Sequence, residues 1–200
     1  MSGESTRAAL VRTAADLMAA RGIDGPSLRE IARVAGARNT AALQYHFGDR
    51  EALLGAVLGA HGAEVGAHRD RLVSGGDGSL RSLADALVTP YVDVLGADGG
   101  RAYVQVLHEV WSQPRRFADL VRPDASMVRW SDAVARHLPP RALGRPLHRR
   151  YAATRFVLSE TADRARGRHG DDRLFASHLV DMTEGLLAAP VSAGTGALIR

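Results

Sequence analysis

Gln44 and Tyr45, with Ala41 and Thr40 beside them, share one side of a two-turn helical stretch from Thr40 to Phe47 at the helical spacing of about 100° per residue. Leu43 and Phe47 take the opposite side. The first set offers an amide, a phenol, a methyl and a hydroxyl, groups that recognise a surface and break no bonds. A glutamine amide matches adenine N6 and N7 with two hydrogen bonds, and an alanine methyl fits against the thymine methyl. Asn39, Thr40, Tyr45, His46 and Arg50 are of types that reach phosphate oxygens, as are the Ser27 hydroxyl and the amides opening the helix after it, and Arg38 is a further expected DNA contact. Together these residues point to recognition of a nucleic acid.

Such a face needs a scaffold, and the flanking residues supply its punctuation. Ser27-Leu28-Arg29-Glu30 is a capping box, in which the Ser hydroxyl accepts the Glu30 amide and the Glu reaches back. Gly22 stands where a preceding helix should end, and Gly36 ends the helix that Ser27 opens. The short helix closes at Gly48, and Asp49 is placed to cap the next one. A two-turn helix with a hydrogen-bonding outer face, held by a tight turn after a capped helix, is helix-turn-helix geometry.

Apolar residues recur at helical spacing along the rest of the chain: Leu10, Ala14, Leu17 and Met18; Leu28, Ile31, Ala32 and Ala35; Leu53, Leu54, Val57 and Leu58. Segments 79–96, 101–112, 126–137, 147–168 and 171–188 repeat the pattern between Gly and Pro breakers. The expected fold class is all-α, with eight or nine helices: a three-helix helix-turn-helix domain over 1–50 and a larger C-terminal helical bundle over 51–200.

Composition narrows the chemistry. All 26 basic residues are arginine, against 22 acids, for a net charge of +4; residues 1–50 carry seven Arg and five acids. Charge so evenly spread permits nucleic-acid binding without arguing for it. Cysteine is absent, which excludes disulfides and thiolate chemistry and suits a reducing compartment. The first residues contain no apolar run of signal-peptide type, so a cytoplasmic location with no membrane association is expected. His61, Glu64 and His68 share a helical face, yet such spacing reads as a solvated stripe, and no metal or cofactor is expected. His108-Glu109 opens like a zinc-protease motif, but Ser112 stands where the second histidine must be. No nucleophile elbow or phosphate-cradling loop occurs, and an enzyme is not expected.

The motif run Ser27 to Gly36, then Leu43 to Phe47, then Gly48-Asp49-Arg50-Glu51-Ala52-Leu53-Leu54 resembles the N-terminal domain of the TetR family of transcriptional repressors over about residues 6–60. Two details depart from the family pattern: Ala37-Arg38-Asn39 lengthen the turn by one residue, and Ala41 and Gln44 replace a usual glycine and aromatic. The resemblance implies a homodimeric repressor on a palindromic double-stranded DNA operator, released by a small-molecule effector, with Arg50 on the DNA backbone. It also implies that the last two long helices pair with those of a second copy. Tyr151, Leu158, Phe175, Leu179, Met182 and Leu186 are the expected dimer residues. A single recognition helix binds weakly, whereas a two-fold pair presents two of them about 34–36 Å apart.

Tyr91, Tyr103, Gln105, His108, Glu109, Trp111, Phe117, Met127, Trp130 and Arg155 are the aromatic and polar residues of an expected effector pocket, unless they simply fill the core. Two other readings stay open at this level: a DNA-binding regulator without a ligand, and a helical small-molecule-binding protein whose N-terminal unit is vestigial.

Overall fold

The computed structural model describes residues 3–37, 41–114, 116–120, 123–167 and 169–199, with side chains from Thr6 onward. Among them are eleven α-helices, one 3-10 turn and no strand. The helices are α1 Gly3–Arg21, α2 Leu28–Val34, α3 Ala41–Phe47, α4 Arg50–Gly75, α5 Leu80–Asp93, α6 Gly100–Ser112, α7 Ala125–Ala135, α8 Pro140–Leu143, α9 Arg149–Arg166, α10 Arg173–Ala188 and α11 Ala193–Leu198. The 3-10 turn covers Val94–Gly96. The two helices beyond the expected eight or nine are α8 and α11, of four and six residues. Neither is long enough to repeat an apolar stripe. No described helix is long and apolar enough to cross a membrane.

The chain packs as two compact units. One comprises residues 1–63 and 94–122, the other residues 64–93 and 123–200; α4 is continuous through the division. Packing thus groups residues 94–122 with the N-terminal helices, a grouping that a cut at residue 50 does not make.

In the first unit, Leu10, Ala14 and Met18 of α1 recur every four residues and are fully buried. They pack with Ile31 of α2, Leu43 of α3, Leu53, Leu54 and Val57 of α4, and Ala102, Val106 and Val110 of α6. The i, i+4 spacing on each helix turns one stripe inward. Phe117 completes this core.

The second unit is organised on α5, which packs against α7, α9 and α10. Leu83, Leu87, Val88 and Tyr91 of α5 are buried, as are Trp130 and Val134 of α7, Val157 and Leu158 of α9, and Leu179 and Leu187 of α10. The Trp130 indole donates to the Leu83 carbonyl at 2.8 Å, so the ring is buried without an unpaired N–H. Pro90 sits inside α5 and lacks the amide that would close on the carbonyl four residues earlier.

Candidate nucleic-acid interface

The helix-turn-helix is fixed at both ends of α2. The Ser27 hydroxyl accepts the Glu30 amide at 3.1 Å. Glu30 does not reach back: its carboxylate instead accepts from the Arg21 guanidinium at 2.7 Å, tying α2 to the end of α1. At the other end Gly36 adopts φ of 75°, while the Ala37 amide donates to the Ala32 carbonyl at 2.9 Å and the Gly36 amide to Arg33 at 3.2 Å. This is a helix stop that needs a left-handed residue, which glycine provides without strain.

Next along the chain come Arg38, Asn39 and Thr40, three of the expected DNA contacts, which lie outside the described residues. The expected opposition of faces on α3 is present. Leu43 is buried, and Phe47 is half-buried with the Arg7 guanidinium 5.2 Å from its ring centre. Ala41 and Gln44 are exposed, and Tyr45 is 86% exposed. His46 is half-buried and meets the Tyr45 ring edge-on, centroids 5.1 Å apart. Asp49 caps α4, its carboxylate accepting the Ala52 amide at 2.8 Å.

Arg50 has a different placement from the one its position suggests. Its guanidinium donates to the Ile23 carbonyl at 2.5 Å and to the Pro26 carbonyl. These bonds brace the loop that leads into Ser27. Two further residues hold the same loop. The Glu109 carboxylate accepts the Ile23 amide at 3.2 and 3.1 Å, and Gly22, at φ of 82°, brings the backbone within 3.5 Å of that carboxylate measured from where a Cβ would stand. Arg116 forks onto Asp24 at 2.6 and 2.5 Å. Arg116 holds the exposed Asp24 carboxyl below its usual range through that hydrogen bond, with smaller help from the charge of Arg50. These partners lie 86 and 92 positions away in sequence, so local motif reading offers no signal for them.

The ten expected pocket residues divide between the units. In the first, Phe117 is core and Glu109 is committed to Ile23. Gln105 donates to Arg101 of its own helix at 3.4 Å, and His108 lies 3.4 Å from the Ser112 hydroxyl. Trp111 is half-buried. Only Tyr103 of the ten lines the cavity of about 490 Å³ between α1, α4 and the turn at Asp98-Gly99. In the second, Met127 and Trp130 are buried, Tyr91 lies beneath Arg69, and Arg155 is exposed above the Tyr151 ring.

Among the expected dimer residues, Leu158 and Leu179 are corrected to the chain's own core, at 0% and 2% exposure. A stripe at helical spacing looks alike whether it packs within a chain or between chains. Met182 is exposed, Phe175, Leu186 and Tyr151 are half-buried, and Leu174, which was not expected, is 83% exposed.

The family profile described as "Bacterial regulatory proteins, tetR family" matches residues 10–57, the stretch that spans the capped α2, the outward α3 and the start of α4. The segment 10–57 is thus similar to the N-terminal domain of tetR-family regulators. The fold of the whole chain is similar to that of solved tetR-family regulators. A regulatory protein of the tetR family from Rhodococcus RHA1 superposes with a TM-score of 0.64 at 21% identity, covering 92% of this chain and 98% of that one. GusR of Salmonella enterica superposes with a TM-score of 0.54 at 23% identity, covering 92% and 96%. No curated protein matches the sequence. A DNA-binding role is supported by the matched segment.

Proposed function

We propose that this protein is a dimeric repressor of the TetR family that reads a palindromic operator through α3 of each copy and leaves it when a small molecule binds the region 51–200. The observation that carries the reading is the outward face of α3. Gln44 and Tyr45 stand exposed on a helix whose opposite side is anchored by Leu43. Gln44 and Ala41 read base edges, while Ser27, Arg38, Asn39, Thr40, Tyr45 and His46 engage phosphates. Arg50 acts one step back, by holding the 23–26 loop that sets the start of α2.

The dimer forms through the accessible side of α9 and α10, including Tyr151, Phe175, Met182 and Leu186 and adding Leu174. Gly185 has open space where a Cβ would stand, which suits close approach of a second helix. Effector and operator are then coupled reciprocally: each weakens the other by the same factor. The protein acts in the cytoplasm and uses no cofactor.

Selection of bound duplexes from a random DNA pool tests the proposal. The expected result is an inverted repeat bound by two protomers. Gln44→Ala should change the preferred base at one position of each half-site, by about 1–3 kcal/mol of discrimination. An even loss of affinity across all sequences would reassign Gln44 to positioning, and the absence of any selected sequence would end the operator reading.

A further inference from the structure

Arg69 lies on the C-terminal half of α4 and is 1% exposed. Its guanidinium stacks on the Tyr91 ring, 5.1 Å from the ring centre, and one donor, Nη1, reaches the Ser126 hydroxyl at 2.9 Å. The other two, Nε and Nη2, are buried and meet no hydrogen-bond acceptor. These two N–H groups are parallel and form one edge of the guanidinium plane, the edge that receives the two oxygens of a carboxylate. The same unit displays that use of the edge. Arg129 directs its Nε and Nη2 onto the two oxygens of Asp70.

The carboxylates nearest to Arg69 along its contacts are already engaged. Asp70, its neighbour on α4, is clamped by Arg129. Asp124 caps α7, its Oδ1 accepting the Met127 amide at 2.8 Å and the Ser126 hydroxyl at 2.6 Å. Val65 stands one turn before Arg69 on α4, and Leu87 one turn before Tyr91 on α5; both are buried. The setting thus combines these apolar side chains and the Tyr91 ring with the Ser126 hydroxyl and one fixed cation that keeps two aligned donors open.

We infer that Arg69 is the recognition site for the carboxylate of a small monoanionic ligand with an apolar body. A single guanidinium balances one negative charge. A phosphate dianion would bring a second, with Asp124 close behind Ser126. The ligand carboxylate takes Nε–H and Nη2–H, and Ser126 keeps Nη1. Both donors are shut from solvent, so the ligand reaches them as local packing opens. The closed form holds two buried donors that lack an acceptor, and the bound form does not. The inference deepens the effector reading above and depends on it only for the consequence at DNA.

The test follows thermal unfolding of the full chain in sodium acetate, sodium benzoate or sodium chloride at equal ionic strength, with and without operator DNA. The wild type should be stabilised by benzoate above chloride, with acetate weaker. Arg69→Met should lose that difference. Arg69→Lys, which keeps a charge but not the fork, should bind benzoate at least about tenfold more weakly, and it stands in should the Met variant fail to fold. Ser126→Ala should keep the response. Equal benzoate response in wild type and Arg69 variants, or no carboxylate-specific response in the wild type, overturns the site. If benzoate acts through Arg69 yet operator affinity is unchanged, the carboxylate site stands and its part in regulation falls.

Discussion

In the N-terminal unit the polar groups around the loop before α2 close on one another: Ile23 gives its amide to Glu109 and its carbonyl to Arg50, while Asp24 takes Arg116. In the second unit three buried side-chain polar atoms are left open among the described residues, although others such as the Trp130 indole and the Thr161 hydroxyl are paired. Arg69 has two donors without an acceptor, and the buried Thr183 hydroxyl has no partner. A fully satisfied network holds a single geometry, which suits a loop that must present α2 and α3 in a set register. A buried guanidinium with two open donors favours an arrangement that brings them an acceptor. One region closes its polar contacts around a loop, and the other keeps a guanidinium edge open.

The steepest way to break the first half of the comparison is through the core. Leu54, 1% exposed, belongs to the cluster that joins α1, α2, α3, α4 and α6. Leu54→Ala should lower unfolding free energy by about 2–5 kcal/mol, measured by urea denaturation. A value under about 1 kcal/mol would mean that this cluster does not set the unit's stability.

Arg69→Met sharpens the contrast by its sign. Replacing a buried cation that has two open donors with a shorter apolar side chain should raise stability by about 1–4 kcal/mol without ligand. In a network already satisfied, the same kind of change lowers it. Glu109→Ala is that counterpart: it leaves the Ile23 amide, in a residue 1% exposed, without its acceptor. The expected loss is about 1–3 kcal/mol, with weaker operator binding. Glu109→Gln keeps one carbonyl oxygen for the amide and should fall between. Were Glu109→Ala to leave both stability and DNA affinity unchanged, the loop would be held by other means.

Local rules carried the sequence reading as far as local interactions reach. Ser27, Gly36 and Asp49 each act on residues within five positions, and each does what its type and spacing indicated, as does the buried Leu43. The family resemblance and the all-helical class followed from the same short-range signals. What stayed hidden depends on which surfaces meet. Arg50 at a helix start resembles a phosphate ligand, but its guanidinium is spent on carbonyls 27 and 24 residues earlier. Glu109 has the look of a polar group in a ligand pocket because nothing near it names Ile23. Leu158 and Leu179 show that helical periodicity identifies a buried stripe without saying what buries it. Arg69 was overlooked for the opposite reason, since an arginine on a long helix ordinarily faces water.

The smallest effect belongs to the outermost member of the loop network. Asp24 and Arg116 are both exposed, so salt screens their pairing. The hydrogen bond from Arg116 lowers the folded-state pKa of Asp24 from its ordinary value of 3.8. A carboxyl whose pKa is depressed by folding contributes stability above its unfolded value and loses it as pH falls through the folded one. The pair therefore acts in full at neutral pH and fades only on the acid side of 3.8. Asp24→Asn should remove that part of the acid dependence and leave stability at neutral pH nearly unchanged in high salt. Titration of unfolding midpoints between neutral and acid pH, at low and high salt, measures it. Equal acid sensitivity in the two proteins at low salt would show that Glu109 and Arg50 hold the loop unaided.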